Sequence, residues 1–268
     1  MSSELIGPEG VIATAGAKLL FDVFGDTAKL IGKRLSLYAE TGLDNLERVL
    51  KRAHHRESLT EKASGAVSAR VIQHLLPEAC FCEDEVQAEY LGGILASAKG
   101  PVARDDRAVS HLSLLSSLST YQIRTHYLLY NCILRWRGQH AELIGRWLIP
   151  DRHKNITVAV TEEEFQRMMA FATEEPAAAI CQHVFAGLEE RGLIKGGLHL
   201  VMPDPQVRRQ PNVAFRYFYP TVLGIELFMW GLGHGDQTIQ AYRPELLNDE
   251  TLPPTMTPLH IELGRVNW

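Results

Sequence analysis

Residues 176–194 read PAAAICQHVFAGLEERGLI, and this stretch decides the fold that we predict. Proline suits the first turn of a helix, so Pro176 predicts a helix start. Val184 and Leu188 are four residues apart, the spacing of a buried helical face. Gly192 follows the last periodic residue, where a left-handed glycine commonly caps a helix. A helix that ends in a sharp turn is therefore predicted.

The sequence on both sides of this helix predicts the rest of a small module. Upstream, Thr161–Glu164 has the pattern of a capping box, in which Thr161 and Glu164 satisfy each other's backbone N–H groups at a helix start. Two strands are predicted downstream. One is residues 198–202, where apolar residues cluster, and the other is residues 213–219, where they alternate with other residues. Residues 221–232 add a closing helix. Two helices, a strand, a loop and a returning strand give a winged-helix outline.

The preceding chain has the periodicity of helices. Acidic residues open the segment Glu83–Lys99, which suits the helix dipole. Pro77 is expected to end the helix before it, because proline lacks a backbone N–H. The predicted helices are residues 61–76, 83–99, 107–136 with an interruption at 116–120, and 139–148.

An amphipathic stripe runs through residues 10–55 and includes Leu35, Leu46 and Val49. Helical spacing of apolar residues is most often a core-packing face. Two other interpretations stay open, since such a helix can also pair with a copy of itself or lie on a membrane.

The predicted fold is mainly α: a helical N-terminal and central region is followed by a winged-helix-like α+β module. A length of 268 residues suits one or two domains. The turn-rich Ile149-Pro150-Asp151 marks a boundary. We therefore expect a helical domain over residues 1–150 and the winged-helix-like module over residues 151–268.

Composition narrows the class of protein. The net charge of −5 gives no overall attraction to nucleic acid or anionic membrane. The N-terminus lacks the basic and apolar regions of a secretory signal, and every apolar run is too short for a transmembrane helix. Four cysteines without disulfide-framework spacing predict reduced thiols. A cytoplasmic location follows as an expectation.

The net charge of the winged-helix-like module indicates which kind of partner it can bind. Residues 161–240 contain six Lys and Arg against ten Asp and Glu, a sum of −4. Affinity for DNA comes largely from Lys and Arg that neutralise phosphates, so DNA binding is disfavoured. Arg208, Arg209 and Arg216 are the candidate contacts to nucleic acid or to a protein partner. A protein contact or self-association is the favoured prediction.

Few residues have the pattern of a catalytic or metal-binding site. Cys80 and Cys82 lie beside acidic residues, but the second ligand pair of a structural zinc site is missing at the usual spacing. The sequence has no GxxxxGK[ST], no GxGxxG after a strand, no HExxH and no GxSxG. We therefore predict no enzyme, no cofactor and no metal site.

Several stretches resemble the Abi-alpha abortive-infection family of bacteria. Residues 24–38, FGDTAKLIGKRLSLY, followed by Asn45–Leu50, are similar to the opening of that family. Residues 83–98 resemble its acidic helix ending in small residues, although Tyr90-Leu91 stands where the family usually has Trp-Ala. Residues 188–194 and 219–225 resemble its closing part.

This resemblance implies defence against bacteriophage through abortive infection and carries over no catalytic residue. The first hypothesis is a defence protein that acts without catalysis, through protein contacts or oligomerisation. The alternatives are a winged-helix DNA-binding regulator and a membrane-perturbing toxin that uses the N-terminal helix.

Overall fold

The computed structural model describes residues 40–60, 65–102, 104–139, 156–201, 214–238 and 260–263. These residues form eight helices and four strands, which confirms the predicted mainly helical fold with a winged-helix-like module. The described residues up to Ser116, together with Trp230–Gly235, form one compact unit. Those of Ser117–Met229 and Asp236–Trp268 form the second. The predicted boundary at residues 150 and 151 lies outside the described residues.

The first unit contains four helices: α1 (Glu40–Thr60), α2 (Ala69–Cys80), α3 (Glu85–Ala98) and α4 (Ala108–Ser116). Helix α3 confirms the prediction for residues 83–99. The Asp84 side chain caps it by accepting hydrogen bonds from the N–H groups of Val86 and Gln87.

Helix α1 confirms the later half of the amphipathic stripe. Leu46 and Val49 are almost fully buried, as are Leu50 and Ala53. The apolar face of α1 therefore packs in the protein core. Residues 10–39, including Leu35, lie outside the described residues.

Glycine allows α1 and α3 to approach closely. A Cβ atom on Gly92 would lie 2.6 Å from the Cβ of Arg52 and 2.9 Å from the carbonyl oxygen of Val49. Contacts this short do not occur, so any larger residue at position 92 would push the two helices apart. The close approach brings charged side chains of α1 against α3.

A ladder of ion pairs joins α1 to α3. Arg48, Arg52 and Arg56 are spaced four residues apart on α1, and Glu85 and Glu89 have the same spacing on α3. Arg52 pairs with both glutamates, at 3.1 Å and 3.4 Å. Arg56 donates from Nε and Nη2 to the Glu89 carboxylate, and both side chains are almost completely buried.

Proline 77 does not end its helix, contrary to the prediction. Helix α2 continues through it to Cys80. Pro77 cannot donate to the carbonyl four residues earlier, but Ala79 and Cys80 are buried after it, and this burial favours continuation of the helix.

The second unit contains α5 (Thr120–Gln139), β1 (Ile156–Thr161), α6 (Glu162–Met169), α7 (Ala177–Glu190), β2 (Ile194–Val201), β3 (Phe215–Pro220), most of α8 (Val222–Gly231) and β4 (His260–Leu263). The predicted interruption at residues 116–120 is confirmed by the gap between α4 and α5. The helix predicted at 139–148 falls almost entirely outside the described residues.

The four strands form one antiparallel sheet in the order β2-β3-β1-β4. Strand β3 pairs with β1 in the register Val158 to Phe218, and both side chains are fully buried. Strands β1 and β4 were not predicted from the sequence.

Leu46→Asp is expected to lower the free energy of unfolding by several kcal/mol, because it places a carboxylate in the buried face of α1. Thermal melting measures the change. Leu43→Asp is the matched control, since Leu43 is 39% exposed on the same helix. Equal melting temperatures for the two variants would contradict the burial of this face.

Candidate contact face of the winged-helix module

The elements from α5 to β3 follow one another in the order of a winged helix: helix, strand, two helices, then two strands. Helix α7 holds the position of the recognition helix. The predicted outline is therefore confirmed, with α5 and β1 as additional parts. Residues 202–213, where the sequence predicts the loop between the two strands, lie outside the described residues.

Local sequence signals fix the ends of α6 and α7. Thr161 Oγ1 accepts the N–H of Glu164 at 3.3 Å, which confirms the predicted cap. The reciprocal half of the capping box is absent, because the Glu164 carboxylate binds the Arg167 guanidinium instead. Gly192 has the predicted left-handed conformation, with φ of 68°. The rings of Phe165 and Phe185 pack at 5.1 Å and hold α6 against α7.

Buried hydrogen bonds hold α5 in the module. The Tyr130 hydroxyl donates to the carbonyl of Leu193 and accepts the N–H of Thr221. His126 Nε2 lies 3.1 Å from the carbonyl oxygen of Gly224. Burial lowers the pKa of His126 to about 3, against an opposing effect of this hydrogen bond. The imidazole is therefore neutral and donates to Gly224.

The exposed face of α7 contains no lysine or arginine. Its N-terminal half presents small and neutral side chains, and its end is acidic. Two of these groups are engaged locally: Glu189 accepts the N–H of Gly196 at 2.9 Å, and Glu190 pairs with Arg191 at 3.5 Å. The exposed residues are Ala178, Ala179, Gln182, His183, Glu189 and Glu190.

Of the three predicted contact residues, only Arg216 is described. It is 7% exposed. Its Nε donates to Glu162 at 2.8 Å, Nη1 donates to the carbonyl of Gly197 at 3.2 Å, and the guanidinium lies 5.0 Å from the Phe185 ring centroid. Arg216 thus binds the sheet to α6 and α7 and is not presented at the surface. Arg208 and Arg209 lie outside the described residues.

One polar cluster was not predicted from the sequence. Ser119, just before α5, places its Oγ 3.1 Å from Nε2 of His183 on α7. Gln122 connects both residues through hydrogen bonds. The pattern Ser119-x-x-Gln122 is a capping-box signal that was available in the sequence. No sequence pattern connects it with a histidine 64 positions away.

The four cysteines are buried and form no disulfide. Burial raises the pKa of the Cys82 thiol to about 12, with the negative charge of Asp84 adding to the effect. Both influences disfavour the thiolate that binds metals and attacks electrophiles. Among the described residues, no three His, Cys, Asp or Glu side chains come together as metal ligands do.

Two further findings concern the class of protein. Within the described residues, no helix has the length and apolar character required to cross a bilayer. No protein-family model, curated protein or solved structure matches this chain. The class defined by the fold is a helical protein with a winged-helix module whose recognition-type helix has no basic residue.

The buried His126 predicts a pH dependence of stability. Its folded pKa is lowered to about 3 from an ordinary value of 6.5, so between these values the unfolded state binds a proton that the folded state does not. This contribution to stability is complete above pH 6.5 and decreases as pH falls. Denaturant unfolding measures the free energy of unfolding at pH 7 and at pH 5. Between these two values it is expected to decrease by about 2 kcal/mol less for His126→Gln than for the unmodified protein. Identical losses would contradict a buried neutral imidazole.

Proposed function

We propose that this protein acts in bacterial defence against bacteriophage, in the cytoplasm, through a protein contact or self-association made by its winged-helix module. The resemblance of residues 24–38, 83–98 and 188–194 to Abi-alpha proteins supports the defence role. The described fold supports the part of the proposal that concerns the contact surface.

The observation that carries this proposal is the electrostatic character of α7. A helix that enters a DNA groove lies between two phosphate backbones, and DNA-binding proteins place Lys and Arg nearby to neutralise them. The exposed face of α7 has none, and its last turn contains Glu189 and Glu190. Arg216, the one described candidate cation, is bound to Glu162 inside the module. Small side chains such as Ala178 and Ala179 instead permit close contact with another protein surface.

A winged-helix regulator is the second candidate. The order of elements from α5 to β3 favours it, and so does the exposed Gln182, because a glutamine amide can bind an adenine edge in the major groove. The two candidates differ in the charge that their partner carries, which makes them separable by one substitution.

The third candidate, membrane perturbation, concerns the N-terminal stripe, most of which lies outside the described residues. For residues 40–60 the apolar side chains are buried in the protein. That candidate therefore depends on residues 10–39.

Phage plating on cells with and without the gene tests the defence role, with a count of surviving infected cells. Gln182→Arg is expected to reduce protection, because a long cation on the contact face of α7 disturbs a protein interface; a loss of ~1.4 kcal/mol weakens binding about tenfold. The same change should strengthen binding if the partner is DNA. Gln73→Arg, on the exposed side of α2, is the matched control. Unaltered plating on deletion of the gene would contradict the defence role.

The Arg208 and Arg209 pair tests the DNA alternative. We expect little binding of duplex DNA at about 0.15 M salt, a physiological ionic strength. Replacement of both arginines by Ala should then change nothing in an anisotropy titration. Tight binding that the double variant loses, with the salt slope reduced by about two, would instead support the regulator.

A further inference from the structure

The Ser119–His183 pair has the geometry of a nucleophile and its general base. The distance of 3.1 Å between Ser119 Oγ and His183 Nε2 falls within the reach that proton transfer requires. Ser119 is half-buried and His183 is exposed, so both are reachable from solvent. The two residues belong to different parts of the module: Ser119 immediately precedes α5, and His183 lies on the exposed face of α7.

A buried glutamine holds the pair in place. Gln122 is 3% exposed. Its backbone N–H donates to Ser119 Oγ at 3.3 Å, and its Oε1 accepts the Ser119 N–H at 2.9 Å. Its Nε2 donates to the carbonyl oxygen of His183 at 3.4 Å. Gln122 therefore binds both residues, Ser119 through its backbone N–H and its side chain and His183 through its side chain alone.

The hydrogen bond from the Gln122 N–H leaves the Ser119 hydroxyl hydrogen free to point at His183. The Ser119 oxygen accepts the N–H of Gln122, so its own hydrogen is available to donate to the lone pair of His183 Nε2. An imidazole that accepts at Nε2 carries its proton on Nδ1. In that tautomer the imidazole can accept the Ser119 proton as a general base.

The start of α5 supplies donors for a developing negative charge. The N–H groups of Thr120 and Tyr121 have no carbonyl partner inside the helix, because of their position in its first turn. That turn contains no acidic residue of its own, and α5 is 20 residues long, so the helix dipole places partial positive charge there. The Glu175 carboxylate, from outside the helix, accepts a hydrogen bond from the Tyr121 hydroxyl. Backbone N–H groups in such a position can stabilise an oxyanion.

We propose that Ser119 is a nucleophile activated by His183, with small, activated acyl esters as the substrate class. The inference goes beyond the proposed function and is independent of it. Ser119 Oγ bonds to the acyl carbon while its proton moves to His183 Nε2. The bond between the acyl carbon and the leaving oxygen then breaks, and the imidazolium returns the proton to that oxygen. Water releases the acyl group from Ser119 by the same proton transfers.

The test is covalent labelling of the full-length protein with an alkyl fluorophosphonate, in which the serine oxygen displaces fluoride at phosphorus. Peptide mass spectrometry should locate the adduct on Ser119. Hydrolysis of p-nitrophenyl acetate provides the second readout. His183→Gln should lower both rates about 100-fold, the contribution of one general base.

Matched variants separate reactivity from folding. Ser119→Asn removes the nucleophile but keeps a side chain that caps helices well, so labelling should disappear while the melting temperature is retained. Ser117→Ala is the control, because Ser117 is an exposed neighbour whose Oγ accepts a hydrogen bond from Arg191. Labelling should persist in that variant. The proposal is overturned if Ser119 is not labelled, if Ser117 is labelled equally, or if His183→Gln leaves the rates unchanged. None of these outcomes depends on phage plating.

Discussion

The need to pair each buried charge shapes both compact units. Arg56 and Glu89 are both almost completely removed from water, and a charge in that position without its partner would be strongly destabilising. The pair fixes the register of α1 on α3, because a shift of one residue along either helix would separate the two side chains. The close approach at Gly92 makes the short contacts possible, and the outer pairs with Arg48 and Arg52 continue the same spacing.

The winged-helix module obeys the same constraint with different groups. Arg216 is satisfied by Glu162 and by the carbonyl of Gly197, so its charge is used to join the sheet to the helices. Tyr130 links α5 to the segments around Leu193 and Thr221. A count of charges along the sequence includes Arg216 as a surface cation, but its side chain is buried. Residues 161–240 therefore present fewer cations to an external partner than their six Lys and Arg residues suggest.

This distribution of charge connects the fold to the proposed function. A recognition-type helix with small, neutral and acidic side chains is suited to a protein surface more than to a phosphate backbone. The Ser119–His183 pair lies at the edge of the same helix, where the capped start of α5 meets α7. The contact face and the proposed nucleophile therefore share a scaffold in which Gln122 binds His183 and Phe165 packs against Phe185.

The sequence by itself determined the features that depend on neighbours along the chain. The cap at Thr161, the left-handed Gly192, the acidic start of α3 and the buried stripe of α1 are local patterns, set by backbone hydrogen bonding and helical periodicity. Tertiary structure decided the features that join distant residues. Strand β1 was missed because its short apolar run does not by itself predict a strand. Its pairing with β3 is a contact between distant parts of the chain. Pro77 was misjudged because burial of Ala79 and Cys80 outweighs a local preference. The burial of Arg216 and the meeting of Ser119 with His183 depend on which elements pack together, and periodicity along one segment contains no information about its neighbours in space.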